Sequence, residues 1–354
     1  MRIGVLGLGR VGFFMLKEVK KLYREAEIVA GDFSDDKLRE AEGLGATPVK
    51  VNAEKPSDLI SFFKGLDAAL VGLPGDLAKN AWRAASEAGT DIVDISYSDA
   101  DPFSIDAKMV FVPDAGMAPG LSNVFVGNAS GWAKKIRIYS AGLPLNPTPP
   151  LNYSITWSPE DLLDMYTRPA RIVRKGRVMT VPALSDLELK YVPELNLWLE
   201  AFITDGLRTL IKTVKAEEMW EKTMRFPGHA DKIKLLIDLG FLSKEELMGV
   251  PVIKYSASVL SRNLPRDKDM AMVIVEAYGK GRKARYSAID FHNGENTAMS
   301  RMTGLTAVGI LRLVMENKLE KGVKPPEVIG MDGDLFDELI QWLKDKGVRI
   351  TILL

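Results

Sequence analysis

The spacing of apolar residues in the first third of the chain predicts alternating strands and helices. The apolar run at residues 3–6 has the length and composition of a buried strand. A helix follows, and its predicted buried face is formed by Val11, Met15, Val19 and Leu22. Further strands are predicted at 27–31, 47–52, 68–73, 91–95 and 110–113, and helices from about 34, at 57–64 and at 77–88. This order is typical of a doubly wound parallel sheet, whose ligands bind outside the carboxyl ends of the strands.

After about residue 134, β-branched and aromatic runs predict a second sheet that is mixed or largely antiparallel. Its predicted strands lie at 135–142, 152–157, 172–181, 187–190, 198–203, 212–226, 270–278 and 285–291, with helices at 159–166 and 230–239. Helices at 298–317 and 334–346 and a strand at 348–353 end the chain. We therefore expect an α/β protein of two domains. A Rossmann domain of residues 1–120 is joined by 297–354, and residues 121–296 form an α+β substrate and oligomerisation domain.

The turn after the first strand has the spacing Gly7-x-Gly9-x-x-Gly12. In a dinucleotide site the first glycine allows the tight turn, the second lets the backbone approach a pyrophosphate, and the third lets helix and strand pack closely. The N-terminus of the helix adds N–H groups and a partial positive charge. Arg10 and Val11 are therefore predicted to adjoin the pyrophosphate together with the glycines. The alternative is a glycine-rich turn that binds nothing.

Asp32 ends the second predicted strand, twenty residues beyond Gly12. A carboxylate there accepts hydrogen bonds from the ribose hydroxyls of an adenosine and repels the extra phosphate of NADP. Residues 33–36 supply no arginine or lysine for that phosphate. We therefore predict NAD as the cofactor. The alternative is that Asp32 only caps the next helix. The other cofactor-binding candidates, in the loops after the strands, are Phe33, Asn52, Gly72, Leu73, Pro74 and Ser96.

Composition narrows the classes of partner. Lys+Arg and Asp+Glu are both 47, so no net field attracts nucleic acid or an anionic membrane. The absence of cysteine and the presence of only two histidines exclude thiolate and histidine-rich metal sites, and we predict no metal. Residues 115–133 lack charge, but Pro119 and Asn123 argue against a membrane span. Because the first strand begins at Arg2, no signal peptide is expected, and we expect a cytoplasmic protein.

Motifs in both halves resemble the saccharopine dehydrogenase-like family, and within it the NAD-dependent L-lysine 6-dehydrogenases. These motifs are GLGRVG (7–12), Ser96-Tyr97, DAGMAPGLSN (114–123), AGLP (141–144), TDGLRTL (204–210) and KTMRFPGH (222–229). One position departs from the family, because a residue that is often cysteine in relatives is Ala115 here. The resemblance implies a homodimer or larger homo-oligomer, formed through the sheet of the second domain. It also implies hydride transfer at a carbon that bears nitrogen.

We therefore expect an NAD-dependent oxidoreductase acting on a primary amine of an amino acid. The leading hypothesis is oxidation of the ε-amine of L-lysine to the 6-semialdehyde with release of ammonia. One alternative is a dehydrogenase or reductase of a secondary amine, such as saccharopine or a carboxyalkyl-polyamine. The saccharopine-forming relatives commonly use NADPH, which Asp32 disfavours. The other alternative is a catalytically silent NAD-binding sensor.

Oxidation of an amine requires its neutral form, so a base must accept the proton of the ammonium. Asp114 is the first candidate for this base or for orienting the amine, and its alternative role is to fix a turn. Tyr97 could donate to the substrate or belong to the core. His229 has a reference pKa suited to proton transfer, and otherwise could cap a helix.

Arg225 could bind a substrate α-carboxylate through two parallel hydrogen bonds. Alternation along a strand places it on the same face as Thr223, with Lys222 on the other face. The alternative is an exposed strand arginine. Thr204 and Asp205 form a predicted turn near the ligand, where Asp205 could pair with a substrate ammonium or only fix the turn.

Overall fold

The computed structural model describes residues 1–265 and 267–354. It divides into two compact units. The first unit comprises Met1–Asn128 and Ser300–Val348, and the second comprises Ala129–Met299 and Arg349–Leu354. We number the strands and helices in chain order and describe each unit by itself.

The first unit contains a seven-stranded parallel sheet. Its strands are β1 (Arg2–Leu6), β2 (Glu27–Asp32), β3 (Thr47–Lys50), β4 (Ala68–Val71), β5 (Asp91–Asp94), β6 (Val110–Val112) and β17 (Gly322–Val323). Its helices are α1 (Arg10–Leu22), α2 (Asp35–Gly43), α3 (Pro56–Phe63), α4 (Ala78–Ala88), α5 (Leu121–Ala129), α10 (Ala298–Met315), α11 (Pro326–Met331) and α12 (Gly333–Asp345). The strand order in this sheet is β17-β6-β5-β4-β1-β2-β3. From β1 the chain first adds strands on one side (β2, β3) and then on the other (β4, β5, β6), so the order of connection switches between β1 and β4. The predicted doubly wound sheet is therefore confirmed, and sheets of this kind bind their ligands at such a switch point.

Aromatic residues from α3, α4 and β6 fill the core on one side of this sheet. Phe63 and Trp82 are fully buried, and the Trp82 ring centroid lies 5.3 Å from that of Phe111. The predicted inner face of α1 is confirmed at Met15 and Val19, which are buried. Among the described residues, α10 alone is long and apolar enough to cross a membrane, but 78% of it is buried inside the fold, as in a core helix.

The second unit contains a nine-stranded mixed sheet. Its strands are β7 (Lys135–Pro144), β8 (Ala170–Arg174), β9 (Arg177–Val181), β10 (Glu188–Val192), β11 (Leu197–Ile203), β12 (Glu218–Arg225), β15 (Asp269–Gly279), β16 (Arg282–Phe291) and β18 (Arg349–Leu353). Its other elements are α6 (Pro159–Thr167), α7 (Leu210–Thr213), α8 (His229–Asp238), the hairpin β13 (Glu246–Leu247) with β14 (Val250–Pro251), and α9 (Val252–Asn263). The main path is β10-β11-β12-β7-β15-β16-β18, with β8 on β12 and β9 on β8. Only β12 and β7 run parallel along it, which agrees with the prediction.

Four local expectations for the second unit were wrong. Residues 172–181, predicted as one strand, belong to the two antiparallel strands β8 and β9. Residues 152–157 form no strand, and the predicted strand at 212–226 begins only at Glu218, after the short helix α7. The final strand was expected to lie with the first unit, but β18 pairs antiparallel with β16, from Arg285↔Leu353 to Ile289↔Arg349. Apolar content alone does not determine which sheet a terminal strand joins, because that choice depends on which edge is available.

The two faces of the second sheet differ in chemistry. One face packs into an apolar core that includes Tyr139, Leu199, Met224 and Met272. The opposite face of β12 carries Glu221, Thr223 and Arg225, all of which are buried. The predicted alternation is confirmed, because Lys222 points away from these residues and donates to Glu188.

Candidate active site

The glycine turn of the first unit leaves space at one glycine only. A Cβ on Gly7, which has φ +89°, would lie 2.2 Å from the oxygen of Gly72, and one on Gly12 would lie 1.9 Å from the oxygen of Gly7. A Cβ on Gly9 would meet nothing within 4 Å. No side chain caps α1, and its first turn has no acidic residue. Exposed Arg10 and half-buried Val11 open this helix. The turn therefore fits a pyrophosphate approaching Gly9 and the N-terminus of α1.

Asp32 joins this turn to the end of β2. Its carboxylate accepts hydrogen bonds from the Leu8 N–H at 2.6 Å and the Ser34 N–H at 2.9 Å, and Lys37 Nζ lies at 3.4 Å. The neighbouring Phe33 ring is 66% exposed, with Lys50 Nζ 5.7 Å from its centroid. The fold thus brings the ammonium groups of Lys37 and Lys50 close to Asp32 and Phe33, although residues 33–36 contain no lysine or arginine. Asp32 can still accept from a ribose, but its negative charge is partly compensated.

Asn52 and Ser96, both predicted to contact the cofactor, have protein partners. Asn52 Oδ1 accepts from the Glu54 N–H at 3.0 Å, in the turn before α3. Ser96 Oγ donates to Asp94 at 2.6 Å and accepts from the Leu73 N–H at 3.1 Å. Ser96 therefore holds the loop of Gly72, Leu73 and Pro74 in place, next to the strand ends that define the crevice.

Two carboxyl groups lie at the ends of β5 and β6. Asp94 is fully buried and accepts from Trp82 Nε1 at 2.7 Å. Burial, reinforced by the charge of Asp114, raises the pKa of Asp94 to about 7. Asp114 is also buried and has φ 54°, in the left-handed region that disfavours most side chains. Tyr97 follows β5, and its carbonyl oxygen would lie 2.1 Å from a Cβ on Gly75. Sequence reasoning identified Asp114 and Tyr97 but missed Asp94.

Arg225 ends β12 and is 3% exposed. Its Nε donates to Tyr166 Oη at 3.3 Å, its Nη1 donates to the Met224 oxygen at 2.9 Å, and its guanidinium carbon lies 4.6 Å from the Tyr153 ring centroid. No carboxylate among the described residues lies within ion-pairing distance. An unpaired buried cation is costly, so this guanidinium is suited to a ligand carboxylate.

His229 continues the hydrogen-bond chain from Arg225. Its Nδ1 lies 3.0 Å from the Leu151 carbonyl, which can only accept, so Nδ1 carries the proton and Nε2 accepts from Tyr166 Oη at 2.8 Å. Burial, with the charge of Arg225, lowers the pKa of His229 to about 3. Burial raises the pKa of Tyr166 to about 12. The near-neutral reference pKa that suggested proton transfer by His229 is therefore not retained in this buried site. His229 is the first residue of α8, and its ring is a neutral link.

Three buried hydroxyl groups in the segment of residues 153–156 have no hydrogen-bond partner in the described structure. They are Tyr153 Oη, Ser154 Oγ and Thr156 Oγ1. The Tyr153 ring contacts the His229 ring, with centroids 5.5 Å apart. Buried hydroxyls normally have partners, so three in one segment indicate groups that a polar ligand would satisfy. The segment was predicted as a strand, which hid this role.

A carboxyl and hydroxyl cluster occupies the same face of the sheet. Glu221 accepts from Ser140 Oγ through Oε1 and from Thr204 Oγ1, at 2.5 Å, through Oε2. Thr204 Oγ1 lies 2.8 Å from Thr223 Oγ1. Burial raises the pKa of Glu221 to about 7. Sequence reasoning missed Glu221, although the alternation that pairs Thr223 with Arg225 also includes it.

Asp205 has a different environment from the one expected of a substrate ligand. Its two carboxylate oxygens accept from Arg171 Nε at 3.0 Å and Arg171 Nη2 at 2.7 Å. It also accepts from the backbone N–H of Arg171 at 3.0 Å. This bidentate pair attaches the turn after β11 to β8, so we assign Asp205 to the turn. No group of three or more potential metal ligands occurs among the residues that the structure describes.

The chain matches two domain models of one protein family. Residues 3–115 match the saccharopine dehydrogenase NADP binding domain, and residues 116–348 match the saccharopine dehydrogenase C-terminal domain. A structure of apo saccharopine dehydrogenase (L-Glu forming) from Saccharomyces cerevisiae superposes with a TM-score of 0.77 at 16% identity, covering 100% of both chains. At this identity the likeness shows a shared fold.

Two curated relatives are similar in sequence. Saccharopine dehydrogenase [NADP(+), L-glutamate-forming] of Saccharomyces cerevisiae is 24% identical over 234 residues, covering 60% of this chain and 52% of the yeast protein. Mitochondrial alpha-aminoadipic semialdehyde synthase of Mus musculus is 22% identical over 283 residues, covering 73% of this chain and 30% of the mouse protein. The chain therefore spans about half or less of the length of these relatives.

Proposed function

This chain belongs to the saccharopine dehydrogenase family, and from that premise we propose that it is an NAD-dependent oxidoreductase acting on a carbon–nitrogen bond of an amino acid. The first candidate substrate is L-lysine, oxidised at its ε-carbon to the semialdehyde with release of ammonia. The first unit would supply the dinucleotide-binding groups, and the second unit would supply the amino-acid-binding groups.

The observation that carries this proposal is the buried guanidinium of Arg225. Tyr166 and Met224 occupy two of its five N–H groups. The remaining N–H groups can bind a carboxylate bidentately, and the unpartnered hydroxyls of Tyr153 and Ser154 add polar capacity. An α-carboxylate is the feature that every amino acid offers. A silent sensor of NAD alone would not require such a site.

The open space at Gly9 and the carboxylate of Asp32 fit a dinucleotide. When bound, its oxidised nicotinamide accepts a hydride from the carbon that bears nitrogen. We expect the loop of Gly72, Leu73 and Pro74, which Ser96 holds, to run beside the nicotinamide end of the cofactor. Asp32 favours NAD, whereas the nearby Lys37 weakens its discrimination against the phosphate of NADP. Asp114 and Tyr97 of the first unit remain candidate catalytic residues from the sequence.

Saccharopine is the second candidate substrate, because the yeast relative acts on it by name. The two candidates differ in the number of carboxylates that need partners. Incubation of the purified protein with NAD or NADP and either lysine or saccharopine, followed by absorbance of the reduced nicotinamide, separates them. Reduction of NAD by lysine is the expected result. Turnover of saccharopine alone would replace lysine, and turnover of no amine with retained NAD binding would favour the sensor.

We also propose that the protein is a homo-oligomer through its second sheet. Strands β9 and β10, which each have one free edge, and the neighbouring β11 expose large apolar side chains, including Val178 at 51%, Leu189 at 63% and Trp198 at 59%. Apolar side chains on strands at the edge of a sheet favour association. Light scattering should give a mass above that of one chain, and Trp198→Glu should reduce it. A monomeric wild-type protein would contradict this proposal.

A further inference from the structure

Amine oxidation leaves one requirement that the predicted residues of the second unit do not meet. The proton of the substrate ammonium must reach a base before the hydride leaves the carbon. His229 is unsuited to this role, because its Nε2 accepts from Tyr166 and its pKa is lowered to about 3. Asp205 is held by Arg171. A different acceptor is therefore needed near Arg225.

Glu221 lies on the same face of β12 as Arg225, with Thr223 between them. Thr223 is one same-face position from Arg225, roughly 7 Å along the strand, within the span of an extended amino-acid side chain. The three oxygens form a continuous series, because Thr223 Oγ1 lies 2.8 Å from Thr204 Oγ1 and Thr204 Oγ1 lies 2.5 Å from Glu221 Oε2. Ser140 Oγ donates to Oε1 of Glu221, so Oε2 is the oxygen that accepts from Thr204.

Resting on the proposed function, we propose that Glu221 receives the proton of the substrate ammonium through the hydroxyls of Thr223 and Thr204. Thr204 donates to the carboxylate, so its oxygen accepts the hydrogen of Thr223. Met165 Sδ, 3.7 Å from Thr223 Oγ1, cannot donate, so the lone pairs of Thr223 are left to accept from the substrate ammonium. The ammonium gives a proton to Thr223, Thr223 passes its own to Thr204, and Thr204 passes its own to Glu221. The amine becomes neutral, the carboxylate becomes a carboxylic acid, and both hydroxyls are restored.

The charges around Glu221 suit a group that both accepts and returns a proton. The positive charge of Arg225 favours the carboxylate, and the negative charge of Asp205 opposes it. Arg171 partly neutralises Asp205. Lys222 adjoins Glu221 in sequence, but it lies on the opposite face of the sheet and pairs with Asp186 and Glu188. Burial is the largest influence, and it raises the pKa of Glu221 to about 7.

The first test is the pH profile of kcat/KM. The wild-type rate should rise with pH through about 7, where Glu221 becomes a carboxylate. Glu221→Gln should lower kcat/KM at pH 7.5 on the order of 10²- to 10⁴-fold and move the rise toward about 10, the pKa of a free amine. Thr223→Val should act in the same direction with Glu221 intact. The matched control is Glu218→Gln, on the same strand but half exposed, which should leave the profile unchanged.

The second test reads the proton without turnover. Infrared spectra of the enzyme with NADH and lysine, compared between pH 5.5 and pH 8.5, should show a carboxylic acid band at the lower pH that Glu221→Gln lacks. Absence of this band, or an unchanged pH profile in Glu221→Gln, overturns the relay. The relay is also overturned if the rise of kcat/KM through about pH 7 disappears in Asp114→Asn but remains in Glu221→Gln. If the band appears but the wild-type protein oxidises no amine, the proposed function fails and the proton acceptor stands.

Discussion

Replacing Arg225 by lysine should weaken the binding of the amino acid and leave the binding of NAD unchanged. The guanidinium is buried and oriented by its bonds to Tyr166 and the Met224 carbonyl. Lysine retains the charge but cannot bind a carboxylate bidentately. Loss of one charge-assisted hydrogen bond costs about 1.5–3 kcal/mol. At about 1.4 kcal/mol for each factor of ten, KM for the amino acid should rise roughly 10- to 150-fold.

The assay is the initial rate of NADH formation with the amino acid and NAD varied in turn. The KM for NAD serves as an internal check on folding, because the dinucleotide site lies in the other unit. Arg285→Lys is the matched control, since Arg285 lies in the same sheet but pairs with Glu194 and Glu276. An unchanged KM for the amino acid in Arg225→Lys would refute the assignment of the carboxylate to Arg225. An equal rise in Arg285→Lys would also refute it.

Three further results are expected. Gly9→Ala should keep a thermal midpoint near that of the wild type but lose NAD binding. Gly12→Ala should unfold at a lower temperature, because its Cβ would lie 1.9 Å from a backbone oxygen. Equal NAD titrations for Gly9→Ala and the wild type would contradict the first expectation. The double change Asp32→Ser with Phe33→Arg should raise the NADP/NAD ratio of kcat/KM, and an unchanged ratio would reduce Asp32 to a structural role. The raised pKa of Asp94 stabilises the fold fully below about pH 4, and this contribution is lost as pH rises through about 7. In urea unfolding, the wild-type free energy relative to Asp94→Asn should therefore fall between pH 5 and 7, by about 1.4 kcal/mol per pH unit, and a constant difference would contradict the buried acid.

Local patterns predicted the first unit to within a few residues at its main strands, because strand, glycine turn and helix are each encoded in short windows. Gly7, Gly9 and Gly12 occupy the environments that their spacing predicts. The order of strands in the sheet follows from the right-handed connections of such folds. Lys37 was not anticipated beside Asp32, because one turn of α2 brings it back toward the strand end.

The second unit was less predictable, because its chemistry depends on contacts between distant segments. His229 has a near-neutral reference pKa, and only the fold reveals its burial between Leu151 and Tyr166. Glu221 lies in an alternating strand, and only the approach of Thr204 and Ser140 marks it as unusual. The pairing of β18 with β16 likewise depends on a free sheet edge, which no local window contains.

The most direct test of the account is a crystal structure of the protein grown with NADH and lysine. The account predicts the adenosine ribose on Asp32 and the α-carboxylate of lysine on the guanidinium of Arg225, with the Tyr153 hydroxyl satisfied by the ligand. An ordered lysine whose carboxylate lies away from Arg225 would contradict it.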